Sequence, residues 1–390
     1  MFSLTLEFDP AREQQVFSVA PAAPAVFLLR GDDAKAEPYV SKTANLRRRL
    51  IRLLGAPEER TKRLNLRQRV RRIEYTPTGS DFESGFLLYQ ALRQVFPRVY
   101  GHRLRLRFAP LVKLHLDNPY PRASITTRLG RTGSSSYYGP FPSRAAAEEF
   151  ANDSLDFFKM RRCVENLNPD PAFPGCIYSE MKMCLAPCFK GCSDEAYRAE
   201  VAQVQAYLDS RGESLVRAFA EQRDQASGNL EFERAAAWHG RLDKLRRVAS
   251  QLPELVQRID RLTAVIVLPS TAADCVTLFR VDAGHITGPA IFSIQPSEHT
   301  KSQSMEARVQ QALDIRPSPV VRSGLETMEH LAILKRWYYR GTRIGEIFFA
   351  DDRGTLPSRR IVRGIARVYR GERPETAELP PSGVSPAPAS

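Results

Sequence analysis

Apolar and polar positions change rhythm several times along this 390-residue chain, and each change suggests a new element. Residues 1–23 are polar and rich in Pro and Ala, and read as an irregular leader. AVFLLR (25–30) is a short apolar run, GDDAKAEP supplies a turn with Gly31, Asp32, Asp33 and Pro38, and YVS (39–41) returns apolar residues. Together they predict a β-hairpin. Asn45 then stands as the N-cap of a helix with Leu46, Leu50, Leu53 and Leu54 at helical spacing, leaving Arg47, Arg48, Arg49 and Arg52 largely on the other faces. RRIEYTP (71–77) reads as a third strand and GFLLYQALRQVF (85–96) as a second helix, which closes a small α/β domain over residues 24–100.

From 101 to 142 Leu alternates with Arg in RLRLRF before the turn-rich RLGRTGSSSYYGPFPSR, a stretch whose pattern fixes no element and which reads as a connector. A helix is expected from Arg144 to about Arg161. Ser193, followed by Asp194 and Glu195, caps a long helix with Tyr197, Val201, Val204, Tyr207 and Leu208 on one side. Segments 214–226 and 230–249, joined by ASGN, predict an antiparallel helical hairpin. Beyond Pro253 the runs LTAVIVLP, DCVTLFRVD and ITGPAIFSI show the period of strands, and two amphipathic helices follow near 324–340 and 358–370. A Pro/Ser tail from about 373 cannot bury enough to order itself. The fold class is α/β and multi-domain, and the length is ample for two or three cores.

Composition sharpens this. No apolar run approaches the roughly 18–20 residues of a membrane span, so no membrane is expected as a partner. The start MFSLTLEFDPAREQQ lacks the basic and long apolar segments of a secretory signal, which predicts a cytoplasmic protein whose cysteines hold metal or stay free. The formal charge of +13 is uneven: residues 45–72 hold eleven Lys and Arg against Glu58 and Glu59, and Arg-rich stretches recur at 98–131 and 358–373. Such stripes suit a phosphate backbone, with a merely soluble basic surface as the plainer alternative. The last basic helix, with Arg359, Arg360, Arg363 and Arg367 beside Ile361, Val362 and Ile365, is expected to be a further stripe of this kind. No P-loop or GxGxxG pattern is present, and His102, His115, His239 and His285 show no spacing that suggests a site.

Five of the six cysteines cluster. Cys163, Cys176, Cys184, Cys188 and Cys192 lie in a segment bent by Pro174, Gly175, Pro187 and Gly191, whereas Cys275 stands alone in a strand-like run and reads as a core thiol. Four thiolates on a loop-rich segment suit tetrahedral zinc or an iron–sulfur cluster, and spacing alone does not decide between them. The absence of any C-x-x-C pair counts against a zinc ribbon.

Three separated blocks, in the right order, resemble the N-terminal half of the UvrC family, the C component of the ABC excinuclease, from Pro24 to Val248. The first resembles a GIY-YIG nuclease domain: AVF (25–27) stands where the family has its GIY-type triplet, and YVS with KTANLRRRL stands where it has YVGKAKNLRxRL. The second, YYGPFPSRAAAEEF leading into the cysteines, resembles the family's GPFP segment. The resemblance implies that Cys163, Cys176, Cys184 and Cys188 bind a [4Fe–4S] cluster, with one extra residue in the first interval and Cys192 as a spare. The third, ASGNLEFERAAAWHGRLDKLRRV (226–248), resembles the UVR motif, a hairpin that recognises the excinuclease component UvrB, and it offers Leu230, Phe232, Ala235 and Ala236 on a helix start.

The resemblance thus implies a GIY-YIG-like domain over 24–100, a connector and cysteine region over 101–192, a helical region with the UVR motif over 193–250, a small α+β domain over 251–372 and a disordered tail over 373–390. Of the nuclease machinery, Tyr39, Lys42 and Arg49 occupy family positions, and Lys42, Arg47, Arg48, Arg49 and Arg52 are left for DNA contact. The first tyrosine is Phe27, which carries no hydroxyl. The second glycine is Ser41, and the metal-binding glutamate and helix asparagine align with Ser84 and Ala91. Glu83 lies one residue away. A GIY-YIG-like domain that binds DNA without cutting is therefore expected; the alternative is an active endonuclease using Mg²⁺ or Mn²⁺ for a single incision. In family members an RNase H-like nuclease domain and helix-hairpin-helix elements follow the region resembled by 260–340, so both incision centres are expected to be eroded or absent here.

Overall fold

Five consecutive buried residues mark AVFLLR as a strand covered on both faces. In the computed structural model β1 (Leu4–Glu7), β2 (Ala25–Arg30), β3 (Tyr39–Thr43) and β4 (Arg72–Pro77) form an antiparallel sheet in the order β1-β4-β2-β3, with the expected hairpin joining β2 and β3. The structure describes residues 2–33, 36–56, 64–130, 135–296, 302–313 and 323–372. The tail expected from 373 lies outside them, as do Glu58 and Glu59.

The leader expected over 1–23 is instead part of the first core. It carries β1 and α1 (Glu13–Val19), and Phe8, Val16, Phe17 and Ala20 are buried with Phe27, Leu29 and Ile73. β1 is an edge strand with no buried residue, although Phe2, Leu4, Leu6 and Phe8 alternate with polar residues around it. On the same face α2 (Leu46–Leu54) starts at Asn45, whose side chain accepts from Arg48 N, and buries Leu46, Leu50, Leu53 and Leu54. Each of these leucines contributes roughly 1.5–3 kcal/mol. On the other face lies α3 (Asp81–Val95), followed by the short α4 (Tyr100–Leu104). α3 begins four residues before the expected start because Ser80 caps it, accepting from Glu83 N at 3.1 Å.

The stretch expected as a connector builds a second sheet. β5 (Leu111–Leu114), β6 (Ala123–Thr126) and β7 (Ser136–Gly139) are joined by β8 (Gln257–Arg258) in the order β6-β5-β7-β8. These strands are too short for a period to show in sequence. α5 (Arg144–Leu155) and α7 (Asp194–Asp209) cover the sheet, with the single turn α6 (Ile177–Glu180) between them. Val112, Leu114, Tyr138, Phe158 and Met160 pack with Tyr197, Val201, Val204, Tyr207 and Leu208 in one core. The boundary expected at 192–193 therefore cuts through a continuous core and is corrected here. α8 (Glu213–Gly228) and α9 (Phe232–Ser250) form the helical hairpin, with α8 running through part of the ASGN link.

The third sheet, β9 (Ala264–Pro269), β10 (Cys275–Asp282), β11 (His285–Ser293) and β12 (Glu346–Phe349), is antiparallel in the order β11-β10-β9-β12. Alternate side chains separate its two faces. Val265, Val267, Val276 and Leu278 pack against α10 (Met305–Leu313) and α12 (Ser358–Tyr369), while Ile266, Leu268 and Phe279 meet α11 (Gly324–Tyr338). Cys275 begins β10 half-buried, so it is not the core thiol expected. α3 joins this last core through Phe82, Phe86 and Tyr89. The approach is close: a Cβ on Gly79 would sit 2.1 Å from Pro269 O. Among the described residues no helix is long and apolar enough to cross a membrane.

Candidate metal centre and nucleic-acid interface

Between α5 and α7 the chain turns repeatedly, with α6 and a 3-10 turn at Pro187–Phe189 as its only helical pieces among the described residues. Gly175 has a φ of +90°, and Lys182, Ala186 and Lys190 have φ of 56°, 58° and 59°. Left-handed conformations at non-glycine residues cost about 1–2 kcal/mol each, so three within nine residues mark a loop held in shape by its surroundings. Asp170 N donates to Cys188 O at 2.9 Å and Leu185 N to Lys159 O at 3.0 Å, which ties the loop across itself.

All five cysteines are free thiols and half-buried. Burial pushes the Cys184 thiol up to about 11, and the charges of Cys163, Cys188 and Cys176 add to that. Burial, then Cys176 and Cys163, also raise Cys188. These four sulfurs therefore lie within electrostatic reach of one another, although no three lie within 4.8 Å. Ala186 N donates to Cys184 Sγ at 3.3 Å. Cys192 also feels the charge of Cys188, after burial and Asp194, but it packs against the helical core.

The first domain does not gather its three family-matched residues. Tyr39 and Lys42 are three positions apart on β3 and so face opposite sides of the sheet. Tyr39 Oη accepts from Arg49 Nη2 at 2.7 Å, on the side of α2. Lys42 Nζ pairs with Asp81 at 2.5 Å, on the side of α3. Phe27 is fully buried, its ring centroid 6.0 Å from that of Tyr39.

Neither position considered for a metal carboxylate can serve. Ser84 is buried, with Oγ 2.6 Å from Thr78 Oγ1 and donating to Ser80 O, and Ala91 is fully buried. Glu83 is buried and turns back to accept from Gly79 N at 2.8 Å. Burial pushes its carboxyl up to about 7, against the lowering effect of that bond. Ser80-x-x-Glu83 is the sequence pattern of a reciprocal cap and so signals a structural role for Glu83, although its carboxylate reaches past Ser80 to Gly79 N. Asp81 is the carboxylate that faces solvent beside Lys42. Arg340 approaches it at 2.6 Å, and although burial would raise its carboxyl, Lys42 and Arg340 hold it below the ordinary range.

Among the basic residues of α2, Arg47 is bound to the fold: its Nε donates to Ala20 O at 2.8 Å and its Nη2 to Ser18 O at 3.2 Å. Arg48 and Arg52 are exposed and, with Arg49, line an open groove of about 910 Å³ that also meets Asn45, Phe17 and Ile51. On α12 Arg359, Arg360 and Arg363 are exposed, whereas Arg367 is bidentate to the buried Glu346 at 2.9 and 2.7 Å.

On the helical hairpin Leu230 is 72% exposed and Phe232 67%. Leu230 was expected on the helix start; it sits instead in the turn before α9, with a φ of +61°. Ala235 is half-buried and Ala236 exposed. Inside the hairpin the rings of Phe219 and Trp238 meet at a tilt of 52°, with centroids 5.2 Å apart.

One group escaped the sequence reading. His285, Glu326 and His330 bring ligand-type atoms within 4.8 Å of one another. The i,i+4 spacing of Glu326 and His330 was its visible half. His330 Nδ1 accepts from Ile286 N at 2.9 Å, which places the ring's proton on Nε2 in the neutral form and leaves no lone pair there for a cation. Glu326 is engaged by Arg93 of α3 and lies 3.4 Å from His285 Nε2. Beside it Tyr89 and Tyr100 both donate to Glu329 at 2.8 Å. The group is thus a polar clasp between α3, β11 and α11.

Residues 109–207, which span the second sheet, the cysteine loop and most of α7, match the family described as UvrC/Cho excinuclease, middle domain. That segment therefore resembles the middle domain of excinucleases. The particular likeness is to UvrABC system protein C. The protein of that name from Clostridium beijerinckii is 24% identical over 292 residues, covering 74% of this chain and 46% of the relative. That from Carboxydothermus hydrogenoformans is 27% identical over 325 residues, 82% of this chain and 52% of the relative. That from Desulforudis audaxviator is 31% identical over 245 residues, 62% and 38%. The chain is UvrC-like, and it spans about half the length of the curated relatives it matches. No solved structure matches it.

Proposed function

We propose that this chain is a UvrC-like, DNA-binding component of nucleotide excision repair that no longer cuts through its GIY-YIG-like domain, carries a [4Fe–4S] cluster on Cys163, Cys176, Cys184 and Cys188, and docks a UvrB-like protein through its UVR hairpin. The observation that carries the reading is the likeness to UvrABC system protein C over as much as 82% of the chain. Loss of cutting is supported by the buried Phe27, by Ser84 in a hydrogen-bonded core position and by the inward turn of Glu83, since a phosphodiester cleavage site needs a carboxylate-held metal and a polarised nucleophile.

The cluster reading is supported by four free thiols within electrostatic reach of one another. Zinc is the alternative occupant. Such a group, when bound, supplies crosslinks to a loop that leaves Val164, Phe173, Ile177 and Met181 exposed. DNA contact is supported by Arg48, Arg49 and Arg52 around one groove, where phosphates would replace counterions. Docking of a UvrB-like protein is supported by the two large apolar side chains at the hairpin tip.

The test is binding of the full chain to a UvrB protein and to fluorescent duplex. Leu230→Ala with Phe232→Ala is expected to weaken the protein complex at least ~10-fold, as anchors at an interface centre do. Arg48→Ala is expected to lower DNA affinity and to reduce the salt dependence by about one phosphate contact. A hairpin variant that binds the UvrB protein unchanged would contradict the partner, and DNA affinity insensitive to salt would contradict the interface.

A further inference from the structure

Arg161 is the largest fully buried side chain in the described structure, and none of the ion pairs there includes it. Its Nε donates to Tyr120 O at 2.8 Å, and its Nη1 to Glu165 O at 2.7 Å, with Cys163 O and Cys163 Sγ both at 3.4 Å. Nη2 is buried with no hydrogen-bond partner. Its backbone N–H donates to Tyr197 Oη at 3.1 Å, and Tyr197 in turn donates to Pro121 O, so the residue is locked in place. A guanidinium stays protonated in proteins, and burying one without a counter-charge is costly. Carbonyl dipoles satisfy part of it. What they do not provide is a negative charge.

We propose that Arg161 is the internal counter-cation of a thiolate-ligated metal centre on Cys163, Cys176, Cys184 and Cys188, positioned to donate to Cys163 Sγ and to neutralise part of the centre's charge. The inference rests on the cysteine reading above. Four thiolates around either a [4Fe–4S] core or Zn²⁺ leave a net double negative charge, which is the partner the buried cation lacks. A cation and an N–H donor at one sulfur stabilise the thiolate form and bias an iron–sulfur centre towards its reduced state, because the added electron meets a positive neighbour. Arg161 touches the ligand and not the metal, so its role is to position and tune.

The experiment uses the full chain, reconstituted without oxygen with ferrous iron and sulfide or with zinc alone, and its chelator-stripped form. Metal retention against a competing chelator, visible absorption and thermal melting are measured for the native chain, Arg161→Met, Arg161→Lys and Cys184→Ser. Arg161→Met is expected to lower metal affinity ~10–100-fold, the usual effect of losing an outer partner of a ligand. Its melting temperature should fall further in the loaded form than in the stripped form, while Arg161→Lys, which keeps charge without the fork, retains metal to an intermediate degree. A purely structural clamp on the three carbonyls would lower both forms equally and leave affinity unchanged, and that result would overturn the role of Arg161 alone. If the native chain takes up neither iron nor zinc, or Cys184→Ser takes up as much, the metal centre itself is overturned and the inference falls with it.

Discussion

The first domain and the cysteine loop both carry residues that match one family, yet they treat those residues in opposite ways. In the first domain the matched positions have been taken up by the fold. Arg49 is bonded to Tyr39, Lys42 to Asp81 and Arg47 to the carbonyls of Ala20 and Ser18, while Phe27, Ser84 and Ala91 are core residues. In the cysteine loop the matched thiols make no disulfide, and the buried charge beside them, Arg161, lacks a counter-ion. Packing and internal hydrogen bonds fill the first site, apart from the buried Nε of Arg49, which has no hydrogen-bond partner. Beside the cysteines the unsatisfied group belongs to a fully buried cation that is in no ion pair among the described residues.

Six substitutions can break or sharpen this contrast. The largest effect is expected at the loop: Cys184→Ser should abolish metal retention and lower the loaded chain's stability by several kcal/mol, read as a fall in melting temperature that chelation of the native chain reproduces. Next comes Phe27→Ala, which should cost about 3–5 kcal/mol by leaving a cavity between β2 and α2, measured by urea unfolding. Phe27→Tyr should cost about 1–3 kcal/mol for a buried hydroxyl and restore no cutting, since no carboxylate accompanies it.

Glu83 gives a pH signature of comparable size. Its folded carboxyl titrates at about 7, above the ordinary value of 4.5, so the protonated form is the one the fold prefers. The associated stability is fully present below about pH 4.5 and is lost as pH rises through 7, a fall of up to about 3 kcal/mol. Glu83→Gln should flatten the urea midpoint across that window; an unchanged slope would show that Glu83 is not the group responsible. The smallest effect separates neighbours on α2. Arg47→Ala should cost about 1–2 kcal/mol of stability through two lost hydrogen bonds, whereas Arg48→Ala should change stability by less than about 0.5 kcal/mol and weaken DNA binding instead.

Much of the fold was readable before the structure. The apolar run 25–30, the Asn45 cap with its four leucines, and the stripe Tyr197, Val201, Val204, Tyr207 and Leu208 all concern local periodicity, and the structure has β2, α2 and the buried face of α7 there. What was unreadable depends on distant partners. Phe8, Val16 and Phe17 look like scattered residues in a polar leader until β4 and α2 cover them. The strands β5, β6 and β7 have four residues each, too few for alternation to declare itself, and β8 joins them from far along the chain. The clasp of Tyr89 and Glu329 links positions 240 residues apart, so no local pattern contains it. At the candidate sites, residue types could be aligned with a family, but only the fold reveals that Glu83 turns inward and that Asp81 is the exposed carboxylate.

The central claim is that this UvrC-like chain binds DNA through a domain that has ceased to cut. It is tested most directly by incubating the anaerobically purified chain with Mg²⁺ or Mn²⁺ and an end-labelled, lesion-bearing duplex, with and without a UvrB protein, and resolving the strands on a denaturing gel. The account predicts a salt-sensitive complex and intact strands under all of these conditions. A metal-dependent nick at a defined position, abolished by Arg49→Ala or Asp81→Asn, would contradict it and assign the first domain a working catalytic centre.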